Sequence, residues 1–128
     1  MTAKSKPTFI GRYILHDLCF HVYYDATRTS GAEVAYAWTP HGYITMTIGG
    51  REKCWQQVYA AALHEVMEAS FIAVHASFEP FSGLRRIDSG RFRFMLNHDQ
   101  FTLACIHAGD MMSLMAPELE KAWKKGRK

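Results

Sequence analysis

One seven-residue run in this 128-residue chain gathers groups able to do chemistry: Leu63-His64-Glu65-Val66-Met67-Glu68-Ala69. Imidazole nitrogens and carboxylate oxygens bind divalent zinc, and both can also move protons. In a helix, residues four apart lie about 40° from one another around the axis, so His64 and Glu68 project together. An imidazole and a carboxylate on adjacent turns can then share one ion. Glu65 is rotated about 100° from His64. In the H-E-x-x-H arrangement this position holds the general base beside a metal-bound water. Here the pattern is H-E-x-x-E, with Glu68 where the second histidine would stand. The same pair also works as a plain i,i+4 couple with no metal. Its neighbours, Ala61, Ala62, Leu63 and Met67, are apolar, and charged groups buried among such residues need partners.

A catalytic zinc site takes three protein ligands and keeps one position open for water. His98, at the start of the next long helix, is the candidate third ligand. His64, Glu68 and His98 together form a two-histidine, one-carboxylate set. Asp99 is the alternative donor, although an aspartate in a first turn also serves the helix dipole. His75 follows His64 by eleven residues, about 16 Å along a continuous helix, and is too far to share the ion. His107 falls roughly opposite His98 on its helix and should face elsewhere. His16 and His21 lie on or near strands and are expected to be satisfied polar groups, and His41 lies in a turn, with no specific feature tying it to the site.

These residues need elements to hold them. Leu18, Phe20, Val22 and Tyr24 alternate with Cys19, His21 and Tyr23, the period of a strand with one buried face. Residues 25–32 are a polar loop. Residues 33–38 alternate again, 39–42 (Thr-Pro-His-Gly) form a turn, and 43–48 are β-rich, so the last two strands predict a hairpin. Gly49-Gly50 punctuates the chain before a helix from about 52 to 76, rich in alanine and leucine and ended by Glu79-Pro80. Residues 81–90 read as loop, and 91–95 as an edge strand guarded by arginine. Asn97 and Gln100 form a capping-box pattern for a second helix over 98–115, which Pro117 breaks or follows with a short final helix. The expected fold is α+β: one domain over 1–128, with a small antiparallel sheet of three to four strands packed against two long helices. Residues 1–8 and 120–128 are read as flexible ends.

At this point a resemblance enters. A strand, Gly-Gly, and a helix carrying Leu-His-Glu-x-x-Glu-Ala, followed by Asn97-His98-Asp99 opening a later helix, resembles small zincin-like metallopeptidase domains of the kind found in phage and mobile-element proteins. The likeness spans roughly residues 43–119. It implies zinc held by His64, Glu68 and His98, with Glu65 as base and a peptide or protein as substrate. The glutamate at 68 departs from that family's pattern, and it bears on peptidase activity more than on the fold.

Bulk composition narrows the alternatives. Net charge is +3, yet basic and acidic residues are equal in number up to Pro117. The excess lies in Lys121, Lys124, Lys125, Arg127 and Lys128. Such a tail can touch nucleic acid, but it also suits a solvated terminus. Arg91 and Arg93, interleaved with Phe92 and Phe94, form a basic-aromatic pattern that fits a nucleic-acid or partner surface as well as a guarded strand edge. Three cysteines without a C-x-x-C pair argue for free thiols in a reducing cytoplasm. Cys105 is expected to be buried, and Met111, Met112 and Met115 to fill core. The most apolar stretch, 69–78, is too short to span a bilayer, and no secretory signal is visible. Two further functions fit the sequence. One is a non-catalytic, phage-encoded module that binds and blocks a host or defence factor. The other is a nucleic-acid-binding protein.

Overall fold

The computed structural model describes residues 6–16, 18–28, 32–35, 43–50, 54–74, 77–80 and 92–126. Six strands and two helices occur among them: β1 (Thr8–Leu15), β2 (Leu18–Asp25), β3 (Ala32–Ala35), β4 (Ile44–Gly49), α1 (Trp55–Ala73), β5 (Ser77–Pro80), β6 (Phe92–Met95) and α2 (His98–Gly126). The class is α+β, with a four-stranded sheet against two long helices, as expected. The sheet order is β1-β2-β4-β3.

The alternation read in β2 sets the core. Phe20, Val22 and Tyr24 are buried, and they pair with Ile44, Met46 and Ile48 on β4. Side chains on adjacent paired strands share a face, so these six form one apolar surface. The β2–β4 pair is parallel, which makes the sheet mixed rather than wholly antiparallel. The β3–β4 hairpin is antiparallel, Ala32 opposite Ile48 and Ala35 opposite Thr45. Tyr36, Trp38 and the turn at 39–42 lie outside the described residues.

β1 was not expected. It pairs antiparallel with β2, from Thr8 opposite Tyr24 to Leu15 opposite Leu18, with a register shift between Phe9 and Gly11. The shift breaks the two-residue period, which hides the strand from a periodicity reading. His16 closes the connection to β2 at φ 58°, a left-handed conformation suited to a tight hairpin.

Both helices cover the same face of the sheet. α1 buries Val58, Ala62, Val66, Ala69, Ser70 and Ala73, a stripe at spacings of three and four whose small side chains let the helix approach closely. The Ser70 hydroxyl donates to the Val66 carbonyl at 2.7 Å, so its burial leaves no orphan donor. α1 ends at Ala73, with Val74 as its C-cap. Glu79-Pro80 therefore does not end it. Both residues belong to β5, which pairs with β6: Glu79 opposite Arg93 and Pro80 opposite Phe92.

α2 opens with the expected capping box. The Gln100 N–H donates to Asn97 Oδ1 at 2.8 Å, and the Asn97 N–H donates to Gln100 Oε1 at 2.9 Å. The helix then runs unbroken through Pro117 to Gly126, contrary to the expected break. Proline withholds one N–H from the Ser113 carbonyl. That loss is offset because Met111, Met112 and Met115 before it and Leu119 after it are buried in the same core. Trp123 packs against that core from within the segment read as a flexible end.

Among the described residues no helix is long and apolar enough to cross a membrane. The three cysteines are free thiols. Cys105 is exposed rather than buried, since it lies off the helix face that carries Ala104, Ala108 and Met112 inward.

Candidate metal centre

α1 presents its chemistry on the side away from its buried stripe. His64 stands about 160° around the axis from Val66, and its side chain is 67% exposed. Glu68, one turn on, is 30% exposed, and Glu65, on the flank, is 13% exposed. His64 meets both carboxylates. Its Nδ1 lies 3.4 Å from Glu65 Oε1 and its Nε2 lies 3.8 Å from Glu68 Oε1. One ligand atom from each of the three falls within 4.8 Å of the others, so His64, Glu65 and Glu68 form a group that can hold a metal ion.

The donor set fits a divalent cation. Ligand bonds near 2.1 Å in a tetrahedron place neighbouring ligand atoms about 3.4 Å apart. The 3.8 Å between His64 Nε2 and Glu68 Oε1 closes to that value with a small rotamer change. The Nδ1–Glu65 approach completes the usual support. A carboxylate accepting from one ring N–H fixes the tautomer and leaves the other nitrogen bare for the metal.

Glu65 is electrostatically perturbed by its surroundings. Burial pushes the Glu65 carboxyl above the ordinary carboxylate range, and the nearby Glu68 charge adds to this. The His64 hydrogen bond and charge, with the Arg28 charge, pull it partly back. Arg28 was read only as part of a polar loop, and nothing in its local sequence marks it. The structure brings it in through a turn after β2: Thr27 N–H donates to Asp25 Oδ1 at 2.9 Å, and Arg28 N–H donates to the Asp25 carbonyl at 3.2 Å. Gly49, at the end of β4, makes room for it. A Cβ there would sit 2.6 Å from both Cβ and Cγ of Arg28, closer than packed carbons approach. Gly50 likewise admits Val58 of α1, since a Cβ there would meet Val58 Cγ2 at 2.5 Å. The Gly-Gly pair therefore seats both the helix and the arginine beside Glu65.

His98 does not join this group. Gln100 Nε2, in the first turn of α2, donates to the Val74 carbonyl at the far end of α1 at 3.2 Å. Val74 is ten residues beyond His64, about 15 Å along the axis, and a zinc–nitrogen bond is about 2 Å. The expected third ligand fails because the two helices run antiparallel, which carries the start of α2 away from the middle of α1. Asp99 shares that end and is left to favour the helix dipole. His107 faces elsewhere, as expected: its ring lies 5.4 Å from that of His16.

The other candidate surfaces divide. Arg91, Arg85, Arg86, His41 and His75 lie outside the described residues, and Arg93 is described only through its backbone in β6. In the tail, Lys121 Nζ lies 3.2 Å from Glu118 and Lys124 Nζ 3.8 Å from Glu120, so part of the basic excess is already met by i,i+3 and i,i+4 partners. Beside the metal group, α1 and α2 enclose an open groove of about 520 Å³ lined by Tyr59, Leu63, Met67, Cys105, Gly109 and Met112 among others.

Compared with protein-family models, with curated proteins and with solved structures, the chain matches none.

Proposed function

We propose that this protein binds zinc on the outward turn of α1 and acts as a zincin-like metal-dependent hydrolase, with peptide bonds as the substrate class. The observation that supports it is the convergence of His64, Glu65 and Glu68 within 4.8 Å. His64 Nε2 and Glu68 would hold the ion. Bound zinc would supply Lewis acidity and a water of lowered pKa. Glu65 fixes the imidazole through Nδ1 and is the proton acceptor of the site. Its raised pKa brings its basicity nearer to neutral pH, where a general base works best. The resemblance to phage-type zincin-like domains is kept within this proposal without its third ligand, because His98 lies at the wrong end of α1.

The test is zinc content and peptide hydrolysis of untagged, chelator-free protein. His64→Ala is expected to lower zinc affinity by roughly 100-fold or more, since it removes a ligand outright. His98→Ala is expected to leave it unchanged, and Glu65→Gln to keep most of the zinc but lose turnover. Zinc retained by His64→Ala would end the metal reading. Turnover retained by Glu65→Gln would end the hydrolase reading alone.

A second reading, a non-catalytic module that binds a protein partner, draws on the apolar groove beside the site and on the missing second histidine of the motif.

A further inference from the structure

Among the described residues, this metal group is half a coordination sphere. Its donors all come from two adjacent positions and one turn further along a single helix, and among the described residues no other histidine, cysteine or carboxylate completes the group. Glu65 is occupied with the Nδ1 side of the ring, which leaves His64 Nε2 and Glu68 facing outward. An ion held there has its remaining positions directed away from the protein. Zinc in a closed site takes four protein ligands.

We propose that a second copy of this chain supplies the other half, so that one zinc on a two-fold axis is bound by His64 and Glu68 of each protomer. This rests on the metal-binding reading above. Two-fold dimers bring the same patch of each subunit together, and an i,i+4 pair doubled in this way gives the four ligands of a tetrahedral site. The surface around the pair suits a crossing helix. Tyr59 and Leu63, large and partly exposed, flank the site on α1. The groove next to them runs to Gly109 on α2, where an added Cβ would meet nothing within 4 Å. Tyr59 and Leu63 themselves line this groove, so in a two-fold contact the apolar walls of the two copies would meet around the ligand pair. A contact of this kind, one helix face against another with polar groups at its centre, is at the small end of stable interfaces. Its assembly therefore depends on the metal. The dimer is the resting form of the site, because the positions a water and a substrate would use are filled by the second copy.

The experiment is sedimentation velocity on the full chain across a zinc titration, with zinc measured per chain. The expected result is a monomer without zinc and a dimer at half a zinc per chain, reversed by chelator. His64→Ala should remain monomeric throughout. Leu63→Asp, a surface change outside the ligand set, should bind zinc as a monomer, with its dimerisation shifted at least tenfold in concentration. A wild-type chain that binds zinc and stays monomeric would overturn the dimer and leave the metal site standing. No zinc binding at all would overturn both. A dimer that forms without zinc, or that survives in His64→Ala, would show an interface unrelated to the metal and overturn the proposal.

Discussion

α1 and α2 lie side by side and antiparallel, and each turns one stripe into the same core. They differ in what the stripe is made of and in what faces outward. α1 buries alanine and valine, and its outer turn carries a histidine with carboxylates one and four residues later. α2 buries Met111, Met112, Met115 and Leu119, and it leaves Leu103, Ile106 and Leu114 exposed. The histidines make the same contrast. His64 sits in mid-helix with two acids in reach. His98 starts a helix, and the acid next to it serves the helix terminus. What gives a histidine chemistry here is its neighbours on one turn, and a histidine on another helix contributes only if packing delivers it.

The largest expected effect tests the α2 side of this comparison. Leu119 is fully buried beyond Pro117, whereas Leu114 is 67% exposed just before it. Leu119→Ala should cost about 3 kcal/mol, as for a leucine truncated inside a packed core. Leu114→Ala should cost less than about 0.5 kcal/mol, as for a surface change. Urea unfolding of both variants measures the difference. Similar losses would mean that the helix face changes at the proline and that the core assignment after it is wrong.

Beforehand, local geometry was legible and the docking of elements was not. Periodicity within one element could be read directly. The spacing of three and four placed His64 with Glu68, the period of two assigned the inner face of β2, and Asn97 with Gln100 marked the start of α2. Each is a local rule, and each needs only the chain's own geometry. What could not be read was whatever depends on several elements docking. The parallel partnership of β2 with β4 bypasses β3 in sequence. β1 was hidden by its bulge. Pro117 was judged by its own preference, although packing on both sides of it decides the outcome. His98 was chosen by ligand type and Arg28 passed over, because separations between elements are set by the direction in which helices and strands run. The candidate site was therefore half legible: the turn of α1 was, and its surroundings were not.

The two helix starts give a smaller test of the same comparison. Asn97 and Gln100 satisfy each other's backbone N–H groups. At α1, Gln57 Oε1 accepts from the Cys54 N–H at 3.2 Å, and the side chain in the cap position is a thiol, a weak acceptor. Asn97→Ala should therefore destabilise the protein by about 1 kcal/mol. Cys54→Ala should change stability by only a few tenths, since little capping is lost. Thermal or urea unfolding resolves the two. An equal loss at both positions would mean that α1 depends on its first turn as α2 does, rather than on its alanine stripe.

The smallest effect concerns how α2 meets β1. Tyr13 is half-buried against the core, and its phenol is raised above the ordinary value of 10.0, first by burial and second by the negative charge of Glu118 on α2. A raised folded pKa means that the fold prefers the neutral phenol. The stability this contributes is fully present below the unfolded value of about 10 and is lost as the pH climbs from there through the raised folded value. Tyr13→Phe has no proton to lose, so the difference in stability between wild type and variant should shrink with pH above about 10. Glu118→Gln removes only the second cause and should give a smaller shift in the same direction. Urea unfolding at a series of alkaline pH values, read as differences so that other titrating groups cancel, measures both. A wild-type-minus-Phe difference that stays flat with pH would mean that Tyr13 ionises as freely in the fold as in the unfolded chain, and that β1 does not pack its ring against α2.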